Sequence, residues 1–162
     1  MALGTAHLLH GFLGAGKTTL AKRLERDLNA VRFTHDEWMS ALYGSDPPAE
    51  QFPQHYERIN ALMETVWTRV VACGVDVVLD CGFWTRASRD RVRELVKAVG
   101  ASAHLYSVRC SDAVALARCR ERNENLRGSL YISDATFESL KARFEPLGDD
   151  EKHNLIDTID AR

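Results

Sequence analysis

The chain has 162 residues, of which 45% are hydrophobic and 27% charged, and its formal net charge is -2. This length and composition are typical of one globular domain with a sizeable core, so we predict a single domain over residues 1–162. The nearly neutral charge disfavours a duplex nucleic-acid binder, although a local basic cluster could still engage phosphates. No apolar run approaches the roughly 20 residues that a membrane span needs, so we expect no membrane partner.

The four cysteines bear on the cellular compartment. They are Cys73, Cys81, Cys110 and Cys119. They contain no CxxC pair, so zinc and thioredoxin-like redox motifs are unsupported. Three of them adjoin or lie in apolar stretches, where reduced cysteine behaves as a small hydrophobic residue. The apolar N-terminus lacks the basic start of a secretory signal. We therefore expect a reduced, cytoplasmic compartment.

The first half of the chain alternates short apolar runs with helical patterns. Residues 6–10 predict a buried strand, and a helix follows on three leucines spaced four apart: Leu20, Leu24 and Leu28. Val31–Thr34 predicts a second strand, ending at His35, Asp36 and Glu37. Gly44–Pro53 carries three of the four prolines and predicts a loop. A long amphipathic helix then ends at Gly74, and its apolar face is Ile59, Met63, Val66 and Val70.

The second half continues this alternation. Three runs predict strands: Val75–Leu79, residues 103–108 and residues 154–159. Three positions are predicted to cap helices: Thr85, Ser111 and either Ser133 or Asp134. The helix after Ser111 runs through Arg122, and the last helix carries Phe137, Leu140 and Phe144 on one face. The pattern predicts an α/β fold with a mostly parallel five-stranded sheet covered on both sides. Ligands bind such sheets at the carboxyl ends of the strands.

The segment Gly11–Thr18 matches the phosphate-binding loop G-x-x-x-x-G-K-[ST] at every fixed position, between a predicted strand and a predicted helix. Glycines let successive backbone N–H groups point at phosphate oxygens, and the helix N-terminus adds its positive dipole end. Lys17 is suited to the β- and γ-phosphates and Thr18 to Mg²⁺. The pattern therefore predicts ATP and Mg²⁺ as cofactors. The cofactor-binding residues that we expect here are Gly11, Gly14, Ala15, Gly16, Lys17, Thr18 and Thr19.

The rest of the sequence bears on the kind of P-loop chemistry. An N-K-x-D guanine-reading motif is absent, and no glutamate follows Asp80 to activate water, so a kinase is favoured over a GTPase or a mechanical ATPase. Asp36, on a strand expected next to the P-loop strand, could accept the acceptor's proton. Asp80 could hold Mg²⁺ or contact the acceptor. Thr34 and Glu37 also form a capping-box pattern, which would place Asp36 in the first turn of a helix. Asp80 could equally accept backbone N–H bonds.

Four arginines precede and enter a polar loop: Arg118, Arg120, Arg122 and Arg127. This spacing suits a lid that brings guanidinium groups to phosphates when it closes. Glutamates alternate with the arginines, so a solvated helix face accounts for part of the cluster. We expect Arg122 to act with Lys17 and Asp36 in catalysis. His35 and Trp38 could line an acceptor pocket, or be a strand-end histidine and a half-buried core tryptophan.

With these residues in view, the chain resembles a group of small P-loop kinases (AAA-domain predicted kinases) related to polynucleotide kinase, chloramphenicol phosphotransferase and the zeta toxins. The resemblance covers nearly the whole chain. It depends on the P-loop, on Asp36, on the run 79–84 with Arg86, Arg89 and Arg93 after it, on Arg118-x-x-x-Arg122-Asn123, and on the run 144–151.

The resemblance implies an adenylate-kinase-like sheet with a central P-loop strand, a base at Asp36 and an arginine-bearing lid at about residues 118–132. In this group a lid arginine often stacks on adenine, and Arg118 or Arg122 would match. Polynucleotide kinases typically carry an arginine a few residues after the base, where this chain has Trp38–Ala41. This departure favours a more aromatic pocket and a small organic acceptor over a nucleic-acid 5′-hydroxyl.

These observations predict an ATP-dependent phosphotransferase acting on a hydroxyl of a small molecule such as an antibiotic, sugar or nucleoside. The acceptor-site residues that we expect are Asp36, Trp38, Asp80, Phe83, Trp84, Arg86 and Arg127. A polynucleotide 5′-hydroxyl kinase is the alternative, supported by a basic track of Arg86, Arg89, Arg91 and Arg93. A nucleotide-binding switch with weak ATPase activity is an alternative of another class. The sequence is compatible with a monomer or a homodimer.

Overall fold

The computed structural model describes residues 2–158, in which a five-stranded parallel sheet carries helices on both faces. The strands are β1 Thr5–His10, β2 Val31–Thr34, β3 Val77–Gly82, β4 Ser102–Arg109 and β5 Asn154–Asp157. The helices are α1 Lys17–Leu28, α2 His35–Tyr43, α3 Phe52–Ala72, α4 Arg86–Ala98, α5 Asp112–Asn123 and α6 Asp134–Lys141. The predicted α/β class is confirmed. Residue 159, the end of the predicted last strand, lies outside the described residues.

The strand order is β2-β3-β1-β4-β5, and every pairing is parallel. The P-loop strand β1 is therefore central, as the resemblance implied. The strand before Asp36 is not its neighbour, because β3 lies between β1 and β2. The prediction that these two strands are adjacent was wrong. Two helices separate β2 from β3 along the chain, and this α2–α3 connection lets β2 take the sheet edge.

The two faces of the sheet bury separate apolar clusters. Leu9, Val78 and Val108 pack with α1 on one face. Leu8, Leu79 and Leu105 face the other way, toward α3 and α4. Alternate residues of one strand point to opposite faces, so a strand buried on both faces is apolar throughout. This explains why β1 and β3 were recognisable as short continuous apolar runs.

The helix boundaries follow the predicted signals with some differences. The hydroxyls of Thr85, Ser111 and Ser133 each accept a hydrogen bond from a backbone N–H of the helix they cap, as predicted. Helix α3 buries Ile59, Met63, Trp67 and Val71, spaced four apart. Val66, predicted on that face, is 37% exposed. Phe144 lies beyond α6, which ends at Lys141.

No helix in residues 2–158 has both the length and the apolarity needed to cross a membrane.

Residues 144–151, here called the strap, cross the sheet end without regular secondary structure. The buried Arg89 side chain ties the strap to the β3–α4 turn. Its guanidinium pairs with Glu151 at 2.8 Å and 2.9 Å and donates to the carbonyl oxygens of Phe83 and Pro146 at 3.0 Å and 3.3 Å. Both side chains of the ion pair are 1% exposed. The strap is thus anchored from the middle of α4.

Candidate active site

The phosphate-binding loop joins β1 to α1 with the backbone geometry that the motif predicts. Gly16 precedes α1 with a φ of 100°, in the left-handed region that favours glycine. A Cβ on Gly11 would lie 2.7 Å from the carbonyl oxygen of Val108, so any larger residue would push β1 and β4 apart. The loop can therefore present its N–H groups only with glycine at these positions. This arrangement fits the phosphates of a nucleotide.

The ammonium group of Lys17 lies at the mouth of this loop. Its Nζ donates a 2.9 Å hydrogen bond to the carbonyl oxygen of Phe12. Burial lowers the pKa of Lys17, while the carboxylates of Asp80 and Asp36 act in the opposite direction. The structure thus brings Lys17 close to both predicted acidic residues.

The two residues that the sequence analysis expects to hold Mg²⁺ are in direct contact. The Oγ1 atom of Thr18 donates to Oδ2 of Asp80 at 2.7 Å. Burial raises the pKa of Asp80, and the nearby charge of Lys17 and the hydrogen bond from Thr18 lower it. Hydroxyl and carboxylate oxygens are ligands that Mg²⁺ accepts, usually one or two from protein with phosphate oxygens and waters completing the shell. The oxygens of Thr18 and Asp80 therefore fit a Mg²⁺ ion held jointly with a nucleotide. Among the described residues no cluster of three or more His, Cys, Asp or Glu forms a metal site.

Asp36 lies in the first turn of α2 rather than at the end of β2. The capping box is not formed, because Thr34 makes no cap hydrogen bond and Glu37 pairs with Arg32 at 2.9 Å. Burial raises the pKa of Asp36, while Lys17 and Arg122 lower it. Its carboxylate makes no hydrogen bond to another described residue. Asp36 is therefore a half-buried acid near two cations, with its oxygens available to a ligand.

The four lid arginines have different surroundings. Arg118 donates to the carbonyl oxygens of Gly14, in the P-loop, and Thr158, after β5, at 3.2 Å and 2.8 Å. Arg122 is partly buried, and its Nε has no hydrogen-bond partner among the described residues. Arg120 pairs with Asp134 on the surface at 2.5 Å, as expected for a solvated helix face. Arg127 is exposed. Arg118 and Arg122 are therefore the two that reach the P-loop side.

The lid loop, residues 124–133, lies against α2 and the loop that follows it. Tyr131 N–H donates to the carbonyl oxygen of Ser45 at 2.9 Å, and Leu130 is buried in the same apolar cluster as Phe33 and Met39. These contacts hold the lid loop against α2, the helix that carries Asp36, and against the loop that follows it.

The predicted aromatic residues do not converge on one pocket. Trp84 donates from Nε1 to the carbonyl oxygen of Gly11 at 3.0 Å and packs on Phe12, so it supports the P-loop from behind. Phe83 is buried in the main core. Trp38 follows Asp36 by two residues, about 200° round the helix, and lines a shallow groove with Leu42 and Leu62.

The basic track on α4 is neutralised by carboxylates. Arg86 pairs with Asp90 at 2.9 Å and with Asp150 at 2.8 Å. Arg91 pairs with Glu64 at 2.6 Å, and Arg93 contacts Asp90 at 2.7 Å and also Glu151. Arg89 is the buried strap anchor. The track therefore offers no free cationic surface for a nucleic acid, and Arg86 is not available to an acceptor.

Two residues of the site escaped the sequence analysis. The hydroxyl of Thr158 donates to the carbonyl oxygen of Ala15 at 2.6 Å and joins β5 to the P-loop. Tyr56, on α3, packs against His35 with the two rings tilted and their centroids 4.1 Å apart, and its pKa is raised by burial and by the charge of Asp36. The strand-end rule could have suggested Thr158. No sequence signal distinguishes Tyr56 from other residues of an amphipathic helix.

The sequence matches the family described as AAA domain over residues 7–147. The chain belongs to this family. No curated protein matches it at a significant level.

Solved structures of similar fold include several proteins described as kinases. A Chloroflexus aurantiacus protein with a provisional kinase description shares 18% identity and a TM-score of 0.80, with 98% of this chain and 90% of that chain covered. Kti12 from Chaetomium thermophilum, solved with ADP-AlF3, shares 18% identity, a TM-score of 0.72 and coverage of 95% and 88%. A gluconokinase from Sinorhizobium meliloti shares 15% identity, a TM-score of 0.65 and coverage of 97% and 84%. The similarity establishes the fold of P-loop kinases for this chain.

Proposed function

We propose that this protein is an ATP-dependent phosphotransferase that moves the γ-phosphoryl group of ATP to a hydroxyl of a small-molecule acceptor. The observation that carries this proposal is the position of Asp36. Its half-buried carboxylate lies near the charges of Lys17 and Arg122 and makes no hydrogen bond to another described residue. An ionised carboxylate can only accept hydrogen bonds, so its free oxygens are suited to the hydroxyl of an acceptor.

In the proposed step, Asp36 accepts the hydroxyl proton as the acceptor oxygen forms its bond to the γ-phosphorus. The bond between the γ-phosphorus and the bridging oxygen breaks, and ADP leaves with that electron pair. Lys17 and Arg122 neutralise charge on the transferring group. Thr18 and Asp80 would hold Mg²⁺, which supplies further charge neutralisation on the phosphate oxygens when bound.

The end of β3 supports transfer rather than hydrolysis. No acidic residue follows Asp80 in β3, since Cys81 and Gly82 complete the strand. The lid loop is held against α2, which carries Asp36, by the contacts at Ser45 and Leu130. A lid that excludes water when it closes would favour an acceptor hydroxyl as the nucleophile.

A small acceptor is preferred over a nucleic acid because of the electrostatics of α4. Its four arginines pair with carboxylates of α3, α4 and the strap. Phosphate binding by these arginines would require breaking ion pairs already present. We place the acceptor between α2, α3 and the lid, with Asp36 and Tyr56 as its contacts and Arg127 near its entrance.

The test is phosphoryl transfer from γ-labelled ATP, with Mg²⁺, to a panel of nucleosides, sugars, hydroxylated antibiotics and 5′-hydroxyl oligonucleotides. Labelling of one small-molecule class supports the proposal. Labelling of oligonucleotides with strong salt dependence would indicate the polynucleotide kinase. ATP binding with slow hydrolysis and no labelled acceptor would favour the switch module instead.

A further inference from the structure

One peptide unit of the P-loop, the one that joins Ala15 to Gly16, is contacted by a side chain from the far end of the chain. That side chain belongs to Thr158, which directly follows β5. Its hydroxyl donates a 2.6 Å hydrogen bond to the carbonyl oxygen of Ala15. Its methyl group faces Gly16, where an added Cβ would lie 3.3 Å from Cγ2 of Thr158. Both branches of the Thr158 side chain therefore face this peptide unit.

The direction of the Thr158 hydrogen bond is set by Arg118 on α5. The guanidinium group of Arg118 donates to Oγ1 of Thr158 at 3.0 Å and to its carbonyl oxygen at 2.8 Å. A guanidinium group can only donate, so the hydroxyl accepts from it and has a single proton to give. The nearest acceptor for that proton is the carbonyl oxygen of Ala15, since that of Arg109 lies farther away at 3.2 Å. The charged donor also polarises the hydroxyl and strengthens its bond to Ala15.

Fixing the carbonyl of Ala15 also fixes the N–H of Gly16. The peptide bond is planar and trans, so its C=O and N–H groups point in opposite directions. Because the carbonyl of Ala15 is turned toward Thr158, the N–H of Gly16 points away from it. This N–H makes no hydrogen bond to another described residue. It is therefore an available donor at the N-terminus of α1, where an anion is favoured.

Glycine alone does not hold this peptide unit in one orientation. Gly16 has a φ of 100°, but a residue without Cβ adopts positive and negative φ about equally well. Rotation of the peptide unit would point the carbonyl of Ala15, instead of the N–H of Gly16, toward a bound phosphate. The bond from Thr158 is the only hydrogen bond to that carbonyl among the described residues. It is thus the contact that selects between the two orientations.

We propose that Thr158 is a positioning residue for nucleotide binding. Its hydroxyl, oriented by Arg118, holds the peptide unit between Ala15 and Gly16 so that the N–H of Gly16 faces the phosphates. The inference rests on the nucleotide-binding part of the proposed function and is independent of the acceptor. Thr158 acts through the P-loop backbone and does not itself contact the phosphates.

The experiment compares Thr158→Ser with Thr158→Ala in the full-length protein. Both variants lose the methyl group, and only Thr158→Ser keeps the hydroxyl. Affinities are measured by calorimetry, with Mg²⁺, for ATP and for tripolyphosphate, which is a phosphate chain without a nucleoside. Thr158→Ala is expected to bind both ligands about tenfold more weakly, the effect of one charge-assisted hydrogen bond. Thr158→Ser should stay within about twofold of the unmodified protein for both ligands.

Two further variants separate positioning from packing. Thr158→Val keeps the size of the side chain and loses the hydroxyl, so it should bind both ligands as weakly as Thr158→Ala. Thr65→Ala removes a different threonine hydroxyl, which donates to the carbonyl oxygen of Ala61 at 2.9 Å within α3. This control should leave both affinities unchanged. The ¹⁵N–¹H resonance of Gly16 in the ligand-free protein should move in Thr158→Ala and remain in place in Thr158→Ser.

Three results would overturn the inference while leaving nucleotide binding intact. They are unchanged affinities in Thr158→Ala, equal losses in Thr158→Ala and Thr158→Ser, and a loss for ATP without one for tripolyphosphate. The last result would mean that Thr158 acts on the nucleoside. Failure of the unmodified protein to bind either ligand would contradict the proposed function itself, and this inference with it.

Discussion

The hydroxyl of Thr18 donates a 2.7 Å hydrogen bond to the carboxylate of Asp80, joining the first turn of α1 to the carboxyl end of β3. This contact brings together the two protein oxygens that we assign to Mg²⁺. Residues that hold or orient metal ligands typically change metal affinity by about 10- to 100-fold when they are replaced.

We predict that Asp80→Asn raises the Mg²⁺ concentration needed for tight ATP binding by about 10- to 100-fold. Binding of a fluorescent ATP analogue without metal should change little, because the P-loop backbone is intact. The measurement is analogue affinity as a function of Mg²⁺ concentration. An unchanged Mg²⁺ dependence would remove Asp80 from the metal site.

The indole of Trp84 is predicted to position the P-loop rather than to contact the acceptor. Trp84→Phe removes the hydrogen bond to the carbonyl oxygen of Gly11 but keeps packing on Phe12. We expect it to weaken nucleotide binding and to lower the free energy of unfolding by about 1 kcal/mol.

The matched control for Trp84→Phe is Trp38→Phe, because Trp38 lies on the outer groove of α2 and makes no P-loop contact. This variant should leave nucleotide affinity unchanged. If both variants weaken nucleotide binding equally, the hydrogen bond to Gly11 has no special role.

Removing one partner of the buried ion pair between Arg89 and Glu151 is predicted to destabilise the fold strongly. Arg89→Met leaves a buried carboxylate without its main partner, which typically costs about 3–5 kcal/mol. Arg91→Met breaks an exposed pair with Glu64 and should cost less than about 1 kcal/mol. Urea unfolding of both variants measures the difference. Similar losses would show that the strap is not held by Arg89.

Stability is also predicted to fall between pH 6.5 and pH 4. The pKa values of buried His10 and His35 are each lowered to about 4, with burial as the main cause. The unfolded chain, with histidine pKa values near 6.5, therefore binds more protons in this range. The stability that these residues contribute is full above pH 6.5 and decreases as the pH falls toward 4.

The measurement is the free energy of unfolding by urea at several pH values from 7.5 to 4.5. His35→Phe keeps an aromatic ring against Tyr56 and removes one titrating group, so its stability should depend less on pH. A pH dependence equal to that of the unmodified protein would mean that His35 is not buried in its neutral form.

The fold and the P-loop could be predicted because their signals are local. The motif from Gly11 to Thr18 specifies backbone geometry and a helix start within eight residues. Asp80 could be predicted because the carboxyl ends of parallel strands meet at one edge of the sheet. Its partner Thr18 lies 62 residues away, in the helix that begins just after β1. The two residues could be expected to lie near each other only because the carboxyl ends of β1 and β3 meet at the same edge of the sheet.

The surroundings of Arg86 and Trp84 could not be predicted, because their partners are distant in sequence. Arg86 is neutralised by Asp150, 64 residues later, and Trp84 donates to Gly11, 73 residues earlier. No period or spacing records such pairings. The edge position of β2 likewise depends on how the α2–α3 pair crosses the sheet, which local patterns do not specify.

The role of Asp36 as general base is tested by single-turnover phosphoryl transfer by Asp36→Asn to the acceptor found in the panel. We expect a rate lower by on the order of 10²-fold with ATP affinity retained. Glu37→Gln, which changes the neighbouring acid paired with Arg32, should transfer at nearly the unmodified rate. Transfer by Asp36→Asn at the unmodified rate would show that Asp36 is not the base.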